Sequence, residues 1–293
     1  MRVAITGSHG LIGSALARRL RDSGHQVVSL VRGSPGPAEL SWAPGRPPAL
    51  SGFDAVVHLA GAPLGERRWS DAYRAEVMAS RREGTATIAR AVAEAPAPRP
   101  VLVSASAVGY YGSRGPDLLT EDAPAGEGFL AEVVSVWEAA AEPARQAGAR
   151  VVHPRFGVVL SPAGGALRRQ LPLFRLGLGG PMGSGRQYLS WIALDDAVSA
   201  LWHLVEREQL SGPFNLCSPL PVTQAEFASR LGATLHRPAR LRAPAAALRL
   251  ALGRQMADEL LLASQRAIPA RLEASGFRFG HGELGAALSF LLR

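Results

Sequence analysis

Lysine is absent from the sequence, and all 32 of its basic residues are arginine. This absence excludes chemistry that depends on a lysine amine, such as Schiff-base catalysis or the lysine of a Walker-type phosphate loop. Cysteine is nearly absent as well, because Cys217 is the only one. One thiol can build neither a disulfide framework nor a cysteine-based metal site, so a cytoplasmic location is expected.

Other absences narrow the choice of partners. No uncharged apolar run reaches the ~18 residues of a membrane span, so no membrane association is expected. The seven histidines show no paired spacing of the H-x-x-x-H kind, so no metal is expected.

The net charge of +8 comes from scattered arginines without interleaved aromatic residues, which argues against nucleic acid as a partner. The first strand is predicted to start at the first residues, so no signal peptide is expected. The expected partner is a small molecule, and the expected state is a monomer or homodimer.

The clearest positive feature is a glycine motif at the start of the chain. An apolar strand, Arg2 to Thr6, runs into glycines spaced G-x-x-G-x-x-G and then into an amphipathic helix, Leu11 to Arg21. Such glycines allow a sharp turn, close approach to a pyrophosphate and tight helix packing, and the helix N-terminus attracts phosphate. The residues expected to contact a dinucleotide here are Gly7, Ser8, Gly10, Leu11, Ile12 and Gly13.

The end of the next strand indicates which dinucleotide. Strand Gln26 to Val31 is followed by Arg32, with no acidic residue in Ser29-Leu-Val-Arg-Gly-Ser34. NAD sites place a carboxylate here for the ribose hydroxyl, whereas a guanidinium suits a 2′-phosphate. The pattern therefore predicts NADP(H), bound by Val31 and Arg32, with Ser29 or Ser34 as possible helpers. The alternative is that Arg32 is only a solvated strand end.

The remaining pattern alternates strands and helices as far as a strand at Arg150 to Arg155, which predicts an α/β fold with a doubly wound parallel sheet. One helix is predicted from Phe129 to Gln146, and another starting at Trp191, with Asp195 or Asp196 as its cap or first-turn acid. Pro244 is expected at the first position of a C-terminal helix. The predicted organisation is a nucleotide-binding domain at 1–160 with sheet elements returning around 187–218, substrate-side segments at 161–243, and a small helical domain at 244–293.

Several stretches together resemble an extended short-chain dehydrogenase/reductase of the sugar-nucleotide-epimerase-like "epimerase family protein" branch. They are Thr6-Gly-Ser-His-Gly-Leu-Ile-Gly13, His58-Leu-Ala-Gly61, Ser80-Arg-Arg-Glu-Gly-Thr85, Ser104-Ala-Ser-Ala-Val-Gly-Tyr-Tyr-Gly112, Trp191-Ile-Ala-Leu-Asp-Asp196 and Phe174-Arg-Leu-Gly-Leu-Gly-Gly-Pro181. The resemblance covers essentially the whole chain. It implies a Rossmann sheet, further cofactor contacts at Leu59, Ala60 and Gly61, and an Arg81 that faces the cofactor. Arg81 could equally be an ordinary charge on the helix surface. Glu76 is a further candidate contact that could instead pair with an arginine, and Ser104 is the last candidate.

The resemblance also implies a catalytic serine followed by a Tyr-x-x-x-Lys pair, in which the lysine lowers the pKa of the tyrosine. Ser106 matches the serine. The pair fails, because Phe129 or Leu130 stands at the tyrosine position and Val133 or Val134 at the lysine position. The absence of lysine from the whole chain means that no other lysine replaces it.

Other residues are candidates for the missing chemistry. Tyr110 and Tyr111 follow the serine strand and are the candidate proton or hydrogen-bond donors. Structural roles compete with functional ones for Glu132, Glu138 and Arg155, and for Arg186, which could hold an anionic substrate. Two hypotheses remain at this point. One is an NADP(H)-dependent oxidoreductase or epimerase with an atypical site, and the other is an NADP(H)-binding sensor or interaction protein with little turnover.

Overall fold

The computed structural model describes all 293 residues. The strands are β1 (Arg2–Thr6), β2 (Gln26–Val31), β3 (Glu39–Ser41), β4 (Ala55–His58), β5 (Val101–Ser104), β6 (Ser106–Ala107), β7 (Leu118–Leu119), β8 (Val151–Phe156), β9 (Val158–Leu160), β10 (Tyr188–Leu189), β11 (Trp191–Ala193), β12 (Gly212–Leu216), β13 (Val222–Thr223) and β14 (Arg266–Ala267). The helices are α1 (Leu11–Asp22), α2 (Asp71–Glu94), α3 (Phe129–Ala139), α4 (Glu142–Gln146), α5 (Gly165–Arg175), α6 (Leu194–Glu206), α7 (Gln224–Thr234), α8 (Ala245–Leu252), α9 (Arg254–Leu260), α10 (Ala270–Ala274) and α11 (Leu284–Leu291). None of these helices has both the length and the apolar character that crossing a bilayer requires.

A parallel sheet forms the centre of the fold, with strands in the order β12-β8-β5-β4-β1-β2-β3 and β6 beside β8. The register aligns the carboxyl ends of the central strands, because Thr6 pairs with both Leu30 and His58, and His58 pairs with Ser104. Ligands of such sheets bind outside the carboxyl ends of the strands. The loops after β1, β2, β4 and β5 therefore meet at one edge of the sheet.

Helices cover both faces of this sheet. On one face α1 and α6 bury residues such as Leu16, Leu20 and Leu201 against the strands. On the other face α2 and α4 contribute Ile88 and Ala144. The strands are apolar on both sides, as a doubly covered parallel sheet requires. This arrangement confirms the predicted doubly wound Rossmann fold.

The C-terminal part of the chain packs around a separate apolar cluster. Helices α5, α7 and α11 supply residues such as Leu171, Phe227 and Leu288, all of them buried. The short strand β14 pairs in parallel with β7, which lies in the loop before α3. This pairing connects the C-terminal segment to the loop region beside the sheet edge.

Three local predictions were wrong. The helix predicted from Phe129 to Gln146 is two helices, α3 and α4, because Pro143 sits in the first turn of α4 and lacks the N–H that a continuous helix needs. Trp191 does not start a helix: Trp191–Ala193 is strand β11, parallel to β9, and α6 begins only at Leu194. Pro244 precedes α8 instead of opening it, with an extended ψ of 143°.

Candidate functional site

The glycine loop after β1 packs so closely against neighbouring backbone that its glycines leave no room for larger residues. Gly7 has a φ of +67°, and a Cβ there would lie 2.9 Å from the carbonyl carbon of Leu59. A Cβ on Gly13 would collide with the carbonyl oxygen of Gly7, and one on Gly10 would lie 3.2 Å from the same oxygen. The three glycines therefore hold the loop, the start of α1 and the end of β4 in direct contact.

A cavity opens at this point along the sheet edge. It is lined by Gly7, Ser8, His9, Gly10, Leu30, Val31, Arg32, Trp42, Leu59, Ala60 and Gly61. Eight of the residues predicted as cofactor contacts are in this lining. Leu11, Ile12 and Gly13 belong to the first turns of α1 instead and do not line it.

Sequence reasoning missed His9, Leu30 and Trp42. Trp42 is 5 % exposed, directly follows β3 and donates from its indole to the carbonyl of Leu30 at 3.2 Å. The available signal was its position after a short strand next to β2. A large planar ring at this wall suits an aromatic base.

The donor set of the cavity fits a pyrophosphate. Gly10 caps α1 without a side-chain hydrogen bond, so the N–H groups of the first turn remain free for an anion. The hydroxyl of Ser8 is buried and has no partner in the protein. Both features match the requirements of a phosphate-binding turn.

The wall formed by the end of β2 carries positive charge. Arg32 lines the cavity, is exposed, and belongs to a lining that contains no acidic residue. The acid on the neighbouring strand, Glu39, accepts a hydrogen bond from the backbone N–H of Gly36 at 2.8 Å. Ser29 is buried in β2 and Ser34 is exposed, and neither lines the cavity.

A buried pair supports the floor of the cavity. The hydroxyl of Thr6 accepts from the N–H groups of Leu59 and Ala60 at 3.0 and 3.1 Å, so its own proton points to Nδ1 of His58 at 2.7 Å. Burial lowers the pKa of His58 to about 4, and the ring is therefore neutral at pH 7. Thr6 thus fixes the turn after β4 against the glycine loop.

Arg81 lies deeper along the same edge. It is 7 % exposed on α2, donates to the carbonyls of Ala62 and Val77 at 3.1 and 3.3 Å, and has its guanidinium 4.9 Å from the ring centre of Trp137. Burial lowers its pKa to about 10, which leaves it charged at pH 7. A Cβ on Gly61 would be 3.6 Å from its guanidinium carbon, so Arg81 backs the cavity wall without lining it.

Ser106 is part of a buried polar network. Its hydroxyl donates to Oε1 of Glu138 at 2.5 Å, and Arg155 donates to both carboxylate oxygens of Glu138 at 2.8 Å each. Burial alone would raise the pKa of Glu138, but the hydrogen bonds and charge of Arg155 outweigh it and bring that pKa below its ordinary value. Glu138 is therefore an ionised acceptor that orients Ser106.

The two candidate tyrosines differ sharply. Tyr111 is 0 % exposed, its hydroxyl donates to Asn215 at 2.7 Å and accepts from Arg155 at 3.0 Å, and burial raises its pKa to about 12. This burial contradicts the expectation that Tyr111 meets a substrate. Tyr110 is half-buried, and the guanidinium of Arg155 lies 3.6 Å from its ring centre. Tyr110 is the tyrosine that keeps a hydroxyl free for other contacts.

The positions of the missing pair are apolar. Leu130 and Val134 lie beside Gly109, where an added Cβ would be 3.5 and 3.9 Å from their side chains, whereas Phe129 and Val133 pack toward α2. Neither pair supplies an acid or a base at this point.

The remaining candidates lie elsewhere. Glu76, Glu132 and Arg186 are exposed, and none of them lines the cavity at the glycine loop. Ser104 is fully buried at the end of β5. Asp195 and Asp196 both lie in the first turn of α6, as expected, but neither caps the helix. The carboxylate of Asp196 accepts from the N–H groups of Gly280 and His281 at 2.8 and 2.9 Å, and Asp195 is exposed.

Comparison with known proteins gives concordant matches. Residues 3–217 match the NAD dependent epimerase/dehydratase family, and residues 243–291 match a domain of unknown function, DUF1731. The epimerase family protein Mb2239 of Mycobacterium bovis is 50% identical over 98% of this chain and 96% of its own length. The crystal structure of human epimerase family protein SDR39U1 with NADPH superimposes with a TM-score of 0.92, at 38% identity over 99% of both chains. A nucleoside-diphosphate sugar epimerase from Corynebacterium glutamicum gives a TM-score of 0.82 at 40% identity, over 100% of this chain and 58% of the other.

Proposed function

The chain belongs to the NAD-dependent epimerase/dehydratase family, and from this membership we propose that it binds NADP(H) and acts as an oxidoreductase on a small carbonyl or alcohol compound. The observation that carries the proposal is the end of β2, where Arg32 lines the cavity and no carboxylate does. The NADPH in the human relative's structure supports the same choice of cofactor.

Each part of the cavity has a role in holding the cofactor. The glycine loop and the first turn of α1 take the pyrophosphate, and Ser8 supplies a hydroxyl to it. Arg32 takes the 2′-phosphate through charge-assisted hydrogen bonds, and Trp42 packs against the adenine. Arg81, buried behind Gly61, contributes positive charge to the same edge.

When bound, the nicotinamide supplies hydride chemistry, and the protein supplies orientation and proton handling. Ser106 is held in one position by Glu138, and its oxygen retains a lone pair that can accept a hydrogen bond from a substrate hydroxyl. Tyr110 is the candidate proton donor to a substrate oxygen. Because the chain lacks a lysine, a tyrosine–lysine acid–base pair has no part in this proposal.

One observation favours a second candidate function, an NADP(H)-binding sensor or interaction protein. The proton of Ser106 is already donated to Glu138, and the positions of the missing pair that lie near Gly109, Leu130 and Val134, present only hydrocarbon. A site of this composition binds a dinucleotide without needing to turn over a substrate. The two functions differ in whether the protein consumes NADPH in the presence of carbonyl compounds.

Cofactor choice is tested by titrating the purified protein with NADPH and NADH and following protein fluorescence. We expect NADPH to bind more tightly, and Arg32→Ala to weaken NADPH by about tenfold to a hundredfold while NADH changes little. Arg18→Ala, an exposed arginine of α1, is the matched control. Equal affinity for the two dinucleotides would refute the proposed role of Arg32.

Turnover is tested by following NADPH absorbance with a panel of small aldehydes and ketones. Oxidation of NADPH that Tyr110→Phe lowers and Arg18→Ala does not would support the oxidoreductase. Tight NADPH binding with no oxidation across the panel would favour the sensor.

A further inference from the structure

A second cavity lies between α5, α7 and α9, away from the dinucleotide cavity. Its lining consists of Val158, Ala166, Gln170, Met182, Gln187, Tyr188, Leu189, Ser190, Gln224, Phe227, Glu259, Leu260, Leu261, Ala263 and Gln265. Nine of these residues are hydrophobic. The walls combine segments from the middle of the chain with α9, a helix of the C-terminal part.

This cavity reaches toward Ser106. Glu259, Ala263 and Gln265 also line an adjoining space, whose other walls include Gly109 and Leu130. Gly109 follows Ser106 by three residues, and Leu130 stands at a candidate position of the missing tyrosine. The second cavity is therefore placed to hold a molecule next to the segment that carries Ser106.

The lining contains no cation. Its single charged residue is Glu259, and both carboxylate oxygens are engaged: Oε1 by the N–H of Phe129 at 3.2 Å and Oε2 by the N–H of Leu130 at 2.7 Å. Arg186, the arginine expected to hold an anionic substrate, is exposed and outside the lining. An anion placed here would be desolvated without a compensating positive charge, at a cost of several kcal/mol.

Two other arginines of the region do not line the cavity, although the buried Nε of Arg266 has no partner in the protein. Arg242 donates to the carbonyls of Gly183 and Ser184 at 3.5 and 3.3 Å. Arg266 stacks on Tyr188, with 4.8 Å between the guanidinium carbon and the ring centre, and donates to the carbonyl of Pro116. Neither belongs to the lining.

Apart from Glu259, the polar groups of the lining are neutral amides and hydroxyls. Four glutamines, Tyr188 and Ser190 supply them. Gln224 is 3 % exposed: its Oε1 accepts from the N–H of Met182 at 2.7 Å, while its Nε2 has no partner in the protein. A buried amide N–H₂ without a partner is costly unless a ligand or water accepts from it.

We propose that this cavity binds the substrate of the oxidoreductase proposed above, and that this substrate is an uncharged molecule with an apolar body and hydrogen-bond acceptors. A nucleoside diphosphate carries charges that this lining does not match. That the bound molecule is a substrate rests on the proposed function. The preference for an uncharged molecule follows from the lining of the cavity itself.

The preference is tested with benzamide and benzoate, two probes of similar shape that differ in charge. Their binding to the NADPH-saturated protein is measured by saturation-transfer NMR titration. We expect benzamide to bind more tightly by at least about tenfold, because the anion is desolvated without a partner. Gln265→Arg places a cation in the lining and should reverse the order. Gln209→Arg adds the same charge on the surface and should leave the order unchanged.

Three results would overturn the inference: benzoate binding as well as benzamide, Gln265→Arg leaving the order unchanged, or neither probe binding the wild type. The wild-type comparison remains decisive if Gln265→Arg fails to fold, which circular dichroism would reveal. Repeating the titration without NADPH separates the two proposals. A benzamide preference in a protein that does not bind NADPH would refute the proposed function and leave the cavity's preference standing.

Discussion

Arg155 donates two parallel hydrogen bonds to Glu138, from Nε to Oε1 and from the guanidinium terminus to Oε2, each 2.8 Å long. Their side chains are 3% and 15% exposed, so the pair is largely withdrawn from water. Arg155 lies on β8 and Glu138 on α3, and Ser106 on β6 donates to the same carboxylate. The pair therefore joins strand, helix and candidate catalytic serine into one unit.

Breaking this pair should destabilise the protein strongly. Glu138→Gln keeps the shape but leaves the buried Arg155 without a counter-charge, and we expect a loss of about 3–5 kcal/mol in the free energy of unfolding. Urea denaturation measures it. Glu132→Gln, on the exposed side of the same helix, is the control and should change stability by less than about 0.5 kcal/mol. A loss no larger than the control's would contradict a structural role for the pair.

The pair also predicts a dependence on pH. The pKa of Glu138 in the folded protein is below its ordinary value of 4.5, so its contribution is present above that value and is lost as the pH falls through the folded pKa. The stability difference between wild type and Glu138→Gln should therefore be full at pH 6 and shrink below about pH 4. Urea titrations at several pH values measure it, and a difference that does not change with pH would contradict this linkage.

Acidification should also destabilise the protein through His58, at a higher pH than through Glu138. Burial lowers its pKa from 6.5 to about 4, so the unfolded state binds a proton first and stability falls as the pH decreases from 6.5 toward 4. Between pH 7 and pH 5 this one group should cost the wild type about 2 kcal/mol. His58→Asn retains an acceptor for Thr6 and should remove that part of the slope. An unchanged slope would show that His58 is not the group responsible.

Two helical glycines offer a matched pair of substitutions. Gly13→Ala places a Cβ 2.2 Å from the carbonyl oxygen of Gly7. Because this oxygen belongs to the backbone, the glycine loop must move to relieve the clash, and NADPH binding should be lost or greatly weakened. Gly84→Ala meets the Trp42 ring at 3.6 Å and the His58 ring at 3.8 Å, both ordinary contacts, and should raise stability by about 0.5–1 kcal/mol. Thermal unfolding and NADPH titration measure both. Equal NADPH affinity in the two variants would contradict the tight-loop interpretation.

The sequence alone was enough to predict the dinucleotide edge of the fold. The strand, the glycine spacing and the end of β2 are local features, since turn geometry and register place neighbouring residues together. Gly7, Val31 and Ala60 line one cavity for this reason. Trp42 escaped prediction because its place in the wall depends on how β3 pairs with β2.

The chemistry around Ser106 could not be predicted in the same way. Whether Ser106 is free or bonded depends on Glu138, which is 32 residues away in the chain. The burial of Tyr111 depends on Asn215, 104 residues away. Such pairings arise from tertiary packing, and residue types along the chain carry no local signal for them. The lysine absence was informative for a different reason, because an absent residue type is absent from every arrangement of the chain.

The start of α3 leads to the last prediction. Gly128 precedes the helix with a φ of +104° and no side-chain cap. Glu259, on helix α9 of the C-terminal part, accepts hydrogen bonds from the N–H groups of Phe129 and Leu130 in its place. A carboxylate at a helix N-terminus is stabilised by hydrogen bonds and by the helix dipole. Glu259 therefore connects the C-terminal segment to the helix that carries Glu138.

Glu259→Gln should loosen this end of α3 without unfolding the protein. The amide keeps one acceptor oxygen but removes the charge and turns an N–H₂ group toward backbone donors, at a cost of about 1 kcal/mol. Hydrogen exchange followed by mass spectrometry should then show faster exchange in peptides covering residues 129–132, while peptides from β1 are unchanged. Asp258→Asn is the control, because that neighbouring carboxylate binds Arg249 and does not contact α3. If the two variants exchange alike over residues 129–132, the cap is not what holds α3 in place, and the C-terminal segment affects the site only through the walls of the second cavity.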